Sequence, residues 1–136
     1  MGVLFKNSDI TIYNKFYDKV NDIDKYQRKV IKGVNWQGKR NATVSDKGLN
    51  RDDSILIFID KLDNYVSPKA FKRLTDEERV NHFTFAVGDK IVKGEIDFEI
   101  TGRKPYSIAD LENNYDDVIT ILGITSWSEH WEVEGK

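Results

Sequence analysis

Val87–Thr101, VGDKIVKGEIDFEIT, is the stretch whose reading decides the fold. From Glu95 onward it alternates strictly, with Glu95, Asp97 and Glu99 on one side and Ile96, Phe98 and Ile100 on the other. A period of two is that of a β-strand with one wet face and one buried face. Gly88-Asp89 ahead of it is a turn dipeptide, and Lys93-Gly94 marks either a two-residue turn or a bulge where the strand bends. A glycine-interrupted, curved strand is what a small closed sheet uses to turn a corner. The fold expected is mainly β: a small β-barrel or closed sandwich, with two or three short helices in insertions.

On the N-terminal side, Asp9–Tyr17 (DITIYNKFY) is rich in β-branched and aromatic residues and reads as the first strand, with Ile10, Ile12 and Phe16 on one face. Asp18–Asp24 is polar and turn-like. Lys25–Trp36 resumes alternation, placing Tyr26, Val30, Val34 and Trp36 in one register, interrupted by Arg28 and Lys32. Gly38–Asn41 reads as a loop, Ala42–Val44 as a short strand, and Asp46-Lys47-Gly48 as a turn. Ser54–Ile59 (SILIFI) is a continuous apolar run, the pattern of a strand covered on both faces.

The helical signals come next. Ser67 caps Pro68 at a first helical position, and Ala70, Phe71 and Leu74 share a face. Thr75-Asp-Glu-Glu78 is a capping box that starts a second short helix and carries Val80 and Phe83 inward. After the central stretch, Ser107–Asp110 repeats the capping pattern. Val118–Ile124 (VITILGI) is a second core strand, and His130–Val133 returns beside it, with Ser126–Glu129 as the hairpin tip. The count is six to eight strands in a single domain over residues 1–136, with a loop and helix insertion at about 60–85.

At 136 residues the chain is long enough to bury a core without staples. It has no cysteine, so neither disulfides nor thiolate metal sites arise. No signal-peptide pattern and no apolar run of membrane-spanning length occurs, so neither secretion nor membrane insertion is expected. The net charge of −2 argues against a general nucleic-acid binder. Its distribution is uneven: residues 1–50 hold ten Lys/Arg against five Asp, residues 51–136 eleven against eighteen Asp/Glu. Two readings stand: charges scattered over a wetted surface, or a basic and an acidic portion through which copies stack.

The tests for chemistry are negative. His82 and His130 lie in no nucleophile motif, and phosphate-binding glycine loops are absent. Glu95, Asp97 and Glu99 are the wet face of a strand, an acidic partner surface, or in the most distant reading a site for a hard cation. Lys25–Arg40 holds six basic residues with Tyr26 and Trp36 interleaved, a composition that suits single-stranded nucleic acid, an acidic neighbour or water alike. Trp127, at the hairpin tip, either packs back on the core or anchors an interface. No enzymatic activity, cofactor or metal is expected.

Several segments together carry a resemblance: NSDITIYNKFYDK, DKYQRKVIKGVNWQGKRNATVSDKGL, VSPKAFKRLTDEER, GDKIVKGEIDFEITG, IADLENNYDDVITI and HWEVEGK. They resemble a family of small proteins encoded in the virion-gene clusters of tailed phages and prophages of clostridia and relatives, and the likeness covers nearly the whole chain. The resemblance implies a structural protein of the phage neck. The first role it implies is a head–tail connector or stopper (head-closure) subunit, forming a six- or twelvefold homo-oligomeric ring around the DNA channel between portal or adaptor and tail. Such a protein is made in the host cytoplasm and ends in the virion. The alternatives are a tail terminator or other tail-completion protein, and, more distantly, an OB-like nucleic-acid-binding module. In the ring picture the insertion, particularly Lys61–Tyr65 and the Ser67–Asn81 helices, reaches a neighbour or the lumen. Arg28, Lys29, Lys32, Lys39 and Arg40 face an acidic ring or channel DNA. Glu95, Asp97 and Glu99 offer an acidic partner surface, and Trp127 anchors a partner.

Overall fold

β1 (Ser8–Asp18) runs through the middle of the molecule and is buried on both faces, because its sequence alternates aliphatic residues with Thr11, Tyr13 and Asn14, whose polar atoms all find partners. The computed structural model describes the backbone of residues 5–45 and 48–136, and the side chains of those residues outside 39–53. Five further strands complete the sheet: β2 (Ile23–Ser45), β3 (Gly48–Asp60), β4 (Lys90–Lys93), β5 (Val118–Ser126) and β6 (His130–Gly135). All pairings are antiparallel, and the order β1-β2-β3-β6-β5-β4 returns to β1, giving a closed six-stranded barrel. The mainly β expectation with three short helices is what the chain forms.

The barrel is filled by one face of each strand. Ile10 and Ile12 of β1 meet Ile31, Val34 and Trp36 of β2, Ile57 and Ile59 of β3, Ile91 of β4, Ile119 and Ile121 of β5, and Trp131 and Val133 of β6. Each such side chain contributes about 1.5–3 kcal/mol by leaving water. Trp131 thus lies in the core, as its place in the HWEV strand leads one to expect.

The register of β2 differs from its reading as one continuous alternation. Its pairing with β1 shifts between Ile31 and Val34, where Gly33 takes φ +73°, and the inward positions change from odd to even. Tyr26 therefore packs outside the barrel against a second cluster, while Val34 and Trp36 point into it. Gly38–Asn41 is no loop: β2 continues to Ser45 and pairs with β3 from Gly48. The turn expected at Asp46-Lys47 lies outside the described residues. SILIFI is fully covered on its inner face only; Leu56 and Phe58 on the outer face are partly buried, Phe58 beside His130.

The insertion turns inward. α1 (Pro68–Arg73) is capped by Ser67 and buries Phe71, and α2 (Asp76–Arg79) has the full Thr75–Glu78 capping box. Tyr65, Phe83, Phe85 and Trp131 form an aromatic cluster with ring centroids 4.6–6.2 Å apart. The buried Arg79 lies over Phe16 and donates to the Leu74 carbonyl at 2.7 Å, and Gln27 of β2 donates to the Arg79 and His82 carbonyls. Val80, expected inward, is 64% exposed, because α2 ends there in a single turn and its inward face is taken by Arg79.

The central stretch departs furthest from expectation. Strand structure stops at Lys93; Gly94 takes φ +97° and donates to the Asp9 carbonyl at 2.7 Å, and the chain leaves the sheet. Glu95–Ile100 forms no ladder. It crosses the outer face of β1 as an extended strap that continues through α3 (Ile108–Asn114) to β5. The alternation nevertheless holds, with Phe98 and Ile100 buried against Tyr13, Val92 and Leu111, and the three acids exposed.

Closure leaves little room where β5 and β6 meet: a Cβ on Gly135 lies 2.6 Å from Ile119 Cδ1 and 2.8 Å from the Thr120 carbonyl oxygen, whereas one on Gly38 meets nothing within 4 Å. Gly135→Ala should cost about 1–3 kcal/mol through overpacking. Gly38→Ala should be neutral or slightly stabilising, since a strand glycine carries an entropic cost of its own. Urea unfolding of the two variants beside the parent checks the contrast.

Candidate functional site

The strap is held to the barrel by side chains in place of a ladder. Thr11 Oγ1 donates to the Gly94 carbonyl at 2.8 Å and accepts from Ile96 N at 3.1 Å. The Tyr13 hydroxyl donates to the Phe98 carbonyl at 2.7 Å, and its burial pushes the phenol well above the ordinary tyrosine range. Arg28, reaching out of β2, donates to the Ile96 carbonyl at 3.0 Å and to Glu99 at 2.7 Å.

This geometry gathers most of the residues singled out in the sequence. Arg28 pairs with Glu99 and Lys32 with Glu95, the latter at 3.5 Å. The basic strand and the acidic row, expected to face different partners, meet inside one subunit. The bulge explains this: positions 26, 28 and 32 of β2 lie on the strap side before the register flips at Gly33. Asp97 lies between the two pairs, beside an open hollow lined also by Arg28, Ile96 and Tyr115. Glu95 and Glu99 turn to separate cations, and among the described residues no group of three ligating side chains converges on a metal position. Lys29 stands on the opposite face of β2 from Arg28, and the side chains of Lys39 and Arg40 lie outside the described residues.

Trp127 stays at the hairpin tip, 53% exposed; its ring stacks on His130 and its Nε1 donates to Glu132 at 3.4 Å. It does not fold onto the core, because β6 places Trp131 there instead. Trp36 is buried in the barrel and Tyr26 packs against the strap, so neither offers a stacking platform for a base.

A second site carries no motif. Asp89, in the Gly88 turn, is buried and accepts from Asn14 Nδ2 at 2.9 Å and Lys15 N at 3.3 Å. Asn14 also bridges the backbone of Thr84, donating at 2.7 Å and accepting at 3.1 Å. Asp89 and Lys15 of this network line a cleft of about 520 Å³, together with Phe16, Lys19, Asp24, Lys72 and Val87. Burial pushes the Asp89 carboxyl up to about 6, against the opposing hydrogen bonds of Asn14 and Lys15. Only the turn dipeptide Gly88-Asp89 hinted at this position, and nothing in the local pattern paired it with Asn14.

Two predictions follow from these bonds. Because Glu99 is more than half exposed, Glu99→Gln should cost under about 1 kcal/mol. Arg28→Ala should cost more, since it also strips the Ile96 carbonyl of its donor; thermal unfolding at moderate salt ranks the two. For Asp89, the carboxyl is easier to protonate folded than unfolded, where its value is near 3.8. The stabilisation this gives is complete below pH 3.8 and lost as pH rises through about 6, up to about 3 kcal/mol in all. Asp89→Asn should therefore gain on the parent steadily between pH 4 and 7 in urea unfolding; a difference independent of pH would show that Asp89 does not titrate there.

No curated protein and no solved structure matches the chain. A sequence profile covers residues 5–136, taking in every strand of the barrel, the strap and the Asp89 turn, and by that match the chain belongs to the family of unknown function DUF6751.

Proposed function

We propose that the protein is a non-enzymatic ring subunit of a tailed-phage neck, acting as a head–tail connector of the stopper type. One observation carries the reading beyond the resemblance of its segments. Beyond the barrel, Lys39–Ser45 of β2 and Gly48–Ser54 of β3 pair with each other, while β1 pairs with β2 only as far as Val34 and β6 with β3 only from Ile55. Seven residues in each strand form a ribbon about 20 Å long. A two-stranded ribbon alone is marginal in water, and its outer edges present backbone donors and acceptors that invite another chain. A closed barrel that buries its own edges yet extends such an arm is built to engage neighbours. In a ring, the arm reaches the adjacent subunit or the portal or tail protein above or below it.

The ribbon projects in addition to the insertion at 60–85, which packs Tyr65, Phe83 and Phe85 on the core while leaving Leu62 and Val80 exposed. The test is electron cryomicroscopy of the neck of the phage particle that encodes this chain. A ring of it between portal side and tail terminator, with ribbons crossing subunit boundaries, is the expected result. A ring at the tail-tube end would make it a terminator, and its absence from the particle would overturn the virion reading.

A further inference from the structure

The strap and the opposite wall of the barrel carry complementary surfaces. In the strand order, β6 lies three strands from β1 in either direction, so the strap over β1 and the outer face of β6 are on opposite sides. Beyond Ile100 the strap projects the loop Thr101–Tyr106, all of it exposed. The loop is tied in shape: Thr101 N and Gly102 N both donate to the Tyr106 carbonyl, at 2.9 and 3.2 Å, and Tyr106 N donates to the Arg103 carbonyl at 2.7 Å. Tyr106 rests beside Phe98, ring centroids 5.5 Å apart, and remains 47% exposed. The loop thus presents Arg103, Lys104 and half of a tyrosine ring, and neither cation has an ion pair among the described residues.

Across the barrel, β5 is irregular where Gly123 shifts the pairing with β6. A shallow groove of about 260 Å³ opens there, lined by Leu56, Leu122, Ile124, Glu132 and Glu134. Leu122 is 50% exposed, and Trp127 flanks the groove through its contact with Glu132. The groove mixes Leu56, Leu122 and Ile124 with Thr125 and two carboxylates; the loop is a tyrosine with two cations.

We infer that the Thr101–Tyr106 loop of one subunit seats in the Leu122–Glu134 groove of a second copy of this chain. Loop and groove cannot meet within one chain, since the barrel stands between them. The contact is heterologous, the head of one copy on the tail of the next, and repetition of such a contact closes into a ring when its rotation permits. The loop's internal hydrogen bonds reduce the ordering cost of docking, and the opposed charges fix which face meets which. This inference rests on the ring reading above and names its lateral contact.

The test is a charge swap read by sedimentation and native mass spectrometry of the full chain, up to its solubility limit. Arg103→Glu with Lys104→Glu, and separately Glu132→Lys with Glu134→Lys, should each weaken self-association by about tenfold or more. All four changes combined should restore most of it. The positions are exposed or half-exposed, and equal unfolding midpoints would show that the variants are folded. A direct readout uses the absence of native cysteine. Lys104→Cys protein mixed with Leu122→Cys protein should give a mixed disulfide on mild oxidation, and the Glu132→Lys, Glu134→Lys background should suppress it. Assembly that forms but ignores both reversals and gives no mixed disulfide would overturn this contact while leaving the ring reading in place. A chain that neither self-associates nor cross-links would overturn the contact, and a neck map without rings would then remove the ring reading separately.

Discussion

The structure depends on a strand that must satisfy two layers at once. β1 turns Ile10 and Ile12 into the barrel and Thr11 and Tyr13 toward the strap, and Asn14 next along it holds the turn that leads into β4. Its polar residues are not concessions within a core. Thr11 and Tyr13 supply hydrogen bonds to the strap backbone and Asn14 to that of Thr84, and a buried backbone group left unpaired costs as much as a lost bond. Barrel closure, strap and Asp89 turn therefore share one element, and β1 pairs with β4 across some eighty residues of sequence.

Charge follows the same logic. Arg28 and Lys32 look like a basic patch in sequence and Glu95, Asp97 and Glu99 like an acidic one, yet the strap lays the second across the first. Arg103 and Lys104, on the exposed loop beyond the strap, and Glu132 and Glu134, beside Leu122 across the barrel, lie outside this pairing. The apolar surface divides similarly. The insertion contributes Tyr65, Phe71 and Phe83 to the interior, whereas Leu122 and Trp127 stay on the outside of the barrel.

Much of this was legible from the chain. The strands around Ile10–Ile12, Ile57–Ile59 and Ile119–Ile121, the three capped helices and the hairpin at Trp127 follow from periodicity and capping chemistry, both local properties. What escaped was nonlocal. The alternation in Glu95–Ile100 records which side chains meet water, and a strap lying on a hydrophobic surface imposes the same pattern as a ladder. The flip at Gly33 was hidden because a bulge preserves strand composition while exchanging its faces. The loop assigned to Gly38–Asn41 came from a polar, glycine-containing stretch that a ribbon outside the core tolerates equally well. Asp89 could not be identified as buried, because its partner Asn14 lies 75 residues away.

The strap also sets how the molecule comes apart. Barrel strands are tied by backbone ladders, but the strap is tied by a few side-chain bonds from Thr11, Tyr13 and Arg28 and by the burial of Phe98, Ile100 and Leu111. Those attachments can be released together without breaking a strand pairing. The strap and α3 should therefore open as a unit of their own, with their amides exchanging with solvent below the cost of global unfolding. Two tiers of protection are expected within one domain, and the weaker tier carries the basic loop.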